Sequence, residues 1–424
     1  MAELTLSDIT ATLKEVLLPY VRDNFPKQTI LLDQMKRNSR IEIMNDEFVA
    51  AIYTGRHGGV VNLPNDAGTV VSAGGRPTSR ATVSTEIVTG ALNISKLAID
   101  ASKSSVLAVQ NTLQAQTEKL SNDFARHMNR QLYGGGDGVV SKVRTTGGSV
   151  GTGTIAVEAI ATSEAGYGTI DDGRALDYYG TINGDISPTK YFAVDQIIGV
   201  GSAAAATGTI TGVTGTAIVS GAPTAIVTAA DDAIYIGAAG AGTSEILGIR
   251  AALSSSTGTS TYAGLARNTT GWTPGFGSAS AALSLARLEA MDGDVQEMAD
   301  QKDKYILLVN KTLYRKYGDL LTAMRRSVNT ADLLGGWKGL EFAAGGNVVG
   351  VFRDYDVPDG EVLMINLDTW TICQVSDVSW MEDPSGGGLL RLQNTIQYQA
   401  VMHWFVNTLC LAPGANAKET RKTA

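Results

Sequence analysis

Cysteine is nearly absent: Cys373 and Cys410 are the only two in 424 residues. Two thiols cannot build a disulfide framework, so a reducing compartment is expected. Histidine is almost as scarce, at His57, His127 and His403, and none has a second His or Cys at metal-ligand spacing. No HExxH or CxxC pattern occurs, which removes the common zinc sites. Charged residues make up only 18%, too few for a coiled coil. Lys and Arg number 34 against 42 Asp and Glu, a formal net charge of −8. A protein that grips nucleic acid by neutralising phosphates is basic over its binding domain, so a dedicated DNA reader is excluded. Uncharged stretches are interrupted by Gly, Thr and Ser, and none reads as a membrane span. The opening Met1-Ala2-Glu3-Leu4 has neither the basic nor the apolar region of a signal peptide, so a soluble cytoplasmic protein is expected. Ten prolines accompany 48 glycines without a three-residue period, which excludes collagen.

What is present is apolar material. Hydrophobic residues reach 44%, and 44.4 kDa is more than one core organises, so two or three domains are expected. Up to about Asn45, helical spacing (Ile9, Leu13, Val16, Leu17) is interrupted by Pro19 and Pro26. The patch Ile30-Leu31-Leu32 then leads into the basic cluster Lys36 to Arg40. This stretch has too little apolar surface to pack alone and reads as an arm lying across something else. From Phe48 to Ile99, two-residue alternation predicts strands at Val49 to Tyr53 and Val83 to Leu97. Between them lie turn-rich runs such as Gly55-Arg56-His57-Gly58-Gly59 and Gly74-Gly75-Arg76-Pro77. A two-stranded ribbon of this kind is marginal in water and must lean on a neighbour.

The clearest helix is predicted from Ser104 to Tyr133. Val109, Leu113, Leu120, Phe124 and Met128 form its apolar stripe, Ser102 or Ser104 can cap its start, and Gly134-Gly135-Gly136 ends it. From Lys142 to Gly242, short alternating pieces rich in Gly, Ala, Thr and Val predict a small all-β insertion. Beyond it come a helix from Ala281 to Met298 weakened at Gly293, a buried strand from Tyr305 to Val309, and a helix from Lys311 to Arg326 capped by Asn310. Val348–Val351 and Val362–Ile365 flank a turn at Pro358-Asp359-Gly360, and a long strand runs from Leu389 to Leu411.

Catalytic chemistry finds no support. Gly199-Val200-Gly201-Ser202-Ala203-Ala204 has dinucleotide-turn spacing, but strand-forming residues follow where a helix is needed. Asp171-Asp172 and Asp231-Asp232 read as turn residues, and a serine nucleophile elbow is not expected. His127 reads as solvated and His403 as packed; His57, in a glycine-rich tip, suits contact rather than catalysis. No catalytic, cofactor or metal site is expected.

Leu32-Asp33-Gln34-Met35-Lys36-Arg37-Asn38-Ser39, Ala98-Ile99-Asp100-Ala101-Ser102-Lys103 and Asn129-Arg130-Gln131-Leu132-Tyr133-Gly134, in that order, resemble segments of tailed-bacteriophage major capsid proteins. Tyr398-Gln399-Ala400-Val401 through Ala412-Pro413 is similar to that family's closing strand. The resemblance covers most of the chain outside Lys142 to Gly242. It implies an α+β, Hong Kong 97-like fold. The N-terminal arm would span 1–45, the extended loop 46–100 and a peripheral domain with the spine helix 101–141. An inserted β-domain would follow at 142–245, an axial domain at 246–370 and returning peripheral strands at 371–424. It further implies a structural role, without cofactor or enzymatic activity. Copies would form hexamers and pentamers enclosing double-stranded DNA without sequence specificity, with scaffolding, portal and decoration proteins as partners and the virion as location. Some members lock their shells through a loop lysine; none occurs here between Lys36 and Lys96, so non-covalent locking is expected. Arg56, His57, Arg76 and Arg80 are the candidates for contact between subunits. An encapsulin-like compartment and a β-rich adhesin or decoration protein are the alternatives.

Overall fold

The computed structural model describes residues 30–38, 42–44, 46–60, 62, 74–96, 106–136, 245–254, 260–269, 271–298, 304–323, 330–332, 338–344, 347–354, 356–358, 360–381, 390–391 and 397–423, with short strands between 139 and 236. The described residues form two compact units. One takes in those of 87–128 and 376–405, the other those of 30–86, 129–375 and 406–424.

In the first unit, strands Ser379–Trp380 and Leu390–Arg391 pair antiparallel with the strand Gln397–Cys410, and Glu86–Ser95 pairs with the same strand. The long helix, Val106–Tyr133, contributes its residues up to Met128 here. Its stripe is buried at Phe124 and Met128 but only half-buried at Leu120, which corrects the expectation of a core position there. Leu120 packs over Gly90, where a Cβ would come within 3.2 Å of its Cδ1. The side chains of Val109 and Leu113 lie outside the described residues, as do Ser102 and Ser104.

The second unit is built on a seven-stranded sheet. Its order is Gly275–Gly277, Ala417–Glu419, Val362–Asn366, Tyr305–Val309, Asn347–Arg353, Lys338–Ala344 and Thr330–Asp332. Tyr305–Val309 is central, as its unbroken apolar run predicts. It pairs parallel with Asn347–Arg353 and antiparallel with Val362–Asn366. The two segments expected to flank a turn are therefore not sheet neighbours, because this strand separates them. The helix Lys311–Ala323 buries Leu313, Tyr317 and Leu321 at four-residue steps in one core with Leu307, Val351 and Met364. Asn310 caps it, its Oδ1 accepting from Leu313 N at 2.9 Å.

A second helix of this core begins at Leu285 and not at Ala281. Ala281–Ala282 instead pairs in parallel with Lys422–Thr423, and Leu283 N donates to Thr423 O at 3.0 Å. The tail takes these backbone groups, so the helix starts four residues later. The helix runs through the exposed Gly293 to Gln296.

Within the segment expected to be the arm, residues 30–38 pack on their own chain. Ile30–Gln34 is a short helix with Ile30, Leu31 and Leu32 buried, and Lys36–Asn38 is a strand parallel to Trp370–Gln374. Three of its five helical residues gain their burial within their own chain. The ribbon differs too. Glu47–Tyr53 pairs with Thr78–Ser84, and Glu42–Met44 adds a third strand. The predicted strand Val83 to Leu97 is split at Thr85, and Glu86–Ser95 joins a different sheet. The ribbon's base leans on a neighbouring turn: Phe48, Ala81 and Val83 are buried, and Thr82 N donates to Ala263 O at 2.9 Å. Between 139 and 236 the described elements are all strands, in four small sheets. Val139–Lys142 and Ala233–Ile236 pair antiparallel.

Candidate interaction site on the ribbon tip

Pairing of Tyr53 with Thr78 closes the ribbon's regular part, and the chain then turns out through Thr54 and Gly55. Thr54 N donates to Pro77 O at 3.1 Å, holding the two sides together one residue beyond the ladder. Tyr53, Thr54, Gly55, Arg56, His57 and Arg76 line an open cleft of about 600 Å³ at this point. Alternation leaves Tyr53 on the exposed face, at 61% exposure, while Phe48 faces the core. The Arg76 guanidinium lies over the Tyr53 ring, its Cζ 4.3 Å from the centroid, and its Nε donates to Gly55 O at 3.1 Å. A cation held over an aromatic face is partly pre-ordered. His57 Nδ1 accepts from Gly59 N at 3.0 Å, which in a neutral imidazole places the proton on Nε2. Arg56 Nη2 donates to Val60 O at 3.4 Å.

Three of the four sequence candidates thus meet in one cleft. Arg80 does not, because it stands opposite Ala51 along the ladder, two residues from its end. Tyr53 completes the cleft and was not anticipated. The signal available was its place as the last alternating position before Gly55, where an aromatic faces solvent.

The other polar clusters are structural. Tyr133 OH donates to Asp354 Oδ2 at 2.9 Å, Asn129 Nδ2 donates to Asp356 Oδ2 at 2.6 Å, and Asn129 Oδ1 accepts from Leu32 N at 3.3 Å. Burial, with Asp356 nearby, pushes the Asp354 carboxyl up to about 6, and burial beside these acids raises the Tyr133 phenol. Arg267 is buried with its two terminal nitrogens on Ala251 O and Ala252 O, closing the end of the helix Ile249–Ala252. Burial pushes both thiols up to about 12, so neither is a thiolate at neutral pH.

His403 is half-buried, its Nε2 3.3 Å from Ser379 Oγ, and His127 is half-buried on the long helix. The dinucleotide-like run is strand: Gly199–Gly201 pairs antiparallel with Thr209–Thr211. GxSxG spacing does occur, at Gly147-Gly148-Ser149-Val150-Gly151, contrary to expectation, but Ser149–Val150 pairs with Ile226–Val227 as a strand. The elbow needs a strand-to-helix turn. Asp171, Asp172, Asp231 and Asp232 lie outside the described residues. Among the described residues no three His, Cys, Asp or Glu gather as a metal site, and no helix is long and apolar enough to cross a membrane.

No family model matches the chain, and no curated protein matches its sequence. The fold defines the class: the chain folds as a phage capsid protein does, in agreement with the resemblance read from its sequence. The structure that shows this is the capsid asymmetric unit of cyanophage A-1(L), similar over 96% of both chains at 12% identity and a TM-score of 0.53. The capsid of a native GTA particle is similar over 95% of this chain and 93% of its own, at 9% identity and a TM-score of 0.46. An encapsulin complex from Synechococcus elongatus is similar over 99% and 97%, at 8% identity and a TM-score of 0.40.

Proposed function

We propose that the chain is the major capsid protein of a tailed double-stranded DNA bacteriophage, whose copies assemble as hexamers and pentamers into the icosahedral head around the genome. The observation that carries this reading is the capsid fold matched over 96% of the chain. The ribbon supports it: its base is anchored in its own chain while its cationic tip is exposed, the arrangement of an element meant to reach another subunit. Arg56, His57, Arg76 and Arg80 are the residues that would touch that neighbour. A net charge of −8 suits a container that holds DNA without clamping it.

On this reading the regions 1–45, 46–100, 101–141, 246–370 and 371–424 serve as arm, extended loop, spine-bearing peripheral domain, axial domain and returning strands. The β-rich segment 142–245 would be a module on the shell's outer face. Scaffolding, portal and decoration proteins are the expected partners beyond the chain itself. Assembly would take place in the host bacterial cytoplasm and the product would be the virion.

The contents of purified particles test the reading. Particles made in cells that supply the partner proteins should hold nuclease-protected double-stranded DNA. Particles that hold one defined protein cargo and no DNA would instead establish a compartment shell.

A further inference from the structure

The ribbon tip holds more cation than the described residues use. Arg76 commits its Nε to Gly55 O and one ring-sized face to Tyr53, which leaves the two terminal nitrogens of the fork without a partner among the described residues. Arg56 makes one long bond to a backbone carbonyl, and the donor of His57 is on the ring nitrogen away from Gly59. All three side chains line the same cleft, and no acid among the described residues does. Two guanidiniums and an imidazole N–H around one opening are an arrangement for a planar oxyanion, because a guanidinium fork matches carboxylate geometry with two parallel hydrogen bonds. The fork is already fixed by the aromatic face and the carbonyl, so little side-chain freedom remains to be lost on binding.

The chain's charge decides which oxyanion fits. Acids outnumber bases by 42 to 34, so a second copy offers an excess of carboxylates to a cationic cleft. A nucleic-acid backbone would call for a broad basic surface, whereas here the cations converge on a single opening. We propose that the cleft is an oxyanion receptor that takes one Asp or Glu carboxylate from a second copy of the chain, with Arg76 as its fixed fork. The proposal rests on the shell reading and adds the ligand class and the receptor residues. Tyr53 is a positioning residue: it does not touch the anion but sets the angle of the fork.

The test uses assembled full-length particles made from an equal mixture of nitrogen-15-labelled and unlabelled chains. Arg76→Lys puts a primary amine at the fork, and a carbodiimide couples such an amine only to a carboxylate in direct contact. The expected product is an amide joining the peptide around position 76 of one copy to an acidic peptide of another, seen as mixed-isotope pairs. Arg56→Lys provides the same readout should Arg76→Lys assemble poorly. In parallel, Arg76→Ala should raise the protein concentration needed for assembly by about tenfold, and Tyr53→Leu by less. Particles that form normally but give no coupling, or only same-copy coupling, would overturn the receptor while leaving the shell reading intact. Loss of packaged nucleic acid with unchanged particle cohesion on Arg76→Ala would assign the cleft to phosphate and overturn it equally. Wild-type chains that never form particles would refute the shell reading itself.

Discussion

Lys418 Nζ lies 2.9 Å from Glu361 Oε1, and both side chains are almost fully buried in the seven-stranded sheet. Lys418 belongs to the strand Ala417–Glu419, which lies between Gly275–Gly277 and Val362–Met364, so a charge pair helps fix the tail as the second strand of the sheet. Gly277 makes room for it, since a Cβ there would fall within 2.4 Å of the Glu419 carboxylate. Burial raises the Glu361 carboxyl and lowers the Lys418 ammonium, each opposed by its partner.

Removing Lys418 leaves the buried Glu361 without its direct partner, with only the Arg250 charge still acting on it. Lys418→Met should therefore destabilise the protein by about 3–5 kcal/mol, and adding Glu361→Leu should restore most of that loss. Calorimetric melting of the single and double variants checks this. A double variant as unstable as Lys418→Met would show that packing, and not charge, sets the cost.

The long helix offers a graded comparison. Met128 is 1% exposed and Phe124 9%, whereas Leu120 is half-buried over Gly90. Met128→Ala should cost about 2–5 kcal/mol, and Leu120→Ala clearly less. Denaturant midpoints of the two variants measure the difference, and equal losses would place Leu120 in the core after all.

Asp354 predicts a pH dependence. Its folded pKa of about 6 lies above the ordinary carboxyl value, so the native state binds the proton more tightly than the unfolded chain. Stability from this group is therefore greatest below about pH 4, falls as pH rises to about 6, and stays reduced above that. Asp354→Asn removes this slope. The variant's stability relative to wild type should rise by about 2 kcal/mol between pH 4 and pH 7, read from thermal melts across that range. A constant difference would mean that Asp354 titrates normally.

The β-rich segment is predicted to be removable. Lys142 pairs with Ala233 across an antiparallel ladder, so the two ends of the intervening segment already lie side by side. A short Gly/Ser linker replacing 143–232 closes that gap with little loop-closure cost. Soluble protein that keeps its helical circular dichroism is expected. Insoluble protein would show that the segment supplies core to the rest of the chain.

What the sequence made legible was local. Tyr305–Val309 reads as a buried strand because all five residues are apolar or aromatic, and Asn310 reads as a cap because its side chain acts on a residue three positions away. Gly134 to Gly136 likewise marks the end of the long helix, where Gly136 takes a φ of +83°. Strand order was not legible. Nothing in Val348–Val351 or Val362–Ile365 states that Tyr305–Val309 comes between them. The tail strand was hidden further, since two of its three residues are Lys418 and Glu419, which a pattern rule assigns to solvent. At the ribbon tip, composition pointed to the arginines, but only the register separates Arg76 in the cleft from Arg80 beside the ladder. The missing information in each case is a pairing between residues distant in sequence.

Electron microscopy of the purified full-length chain at micromolar concentration tests the central claim most directly. Closed shells, or rings of five and six copies, are the predicted result. A well-folded monomer that stays dispersed under those conditions would contradict it.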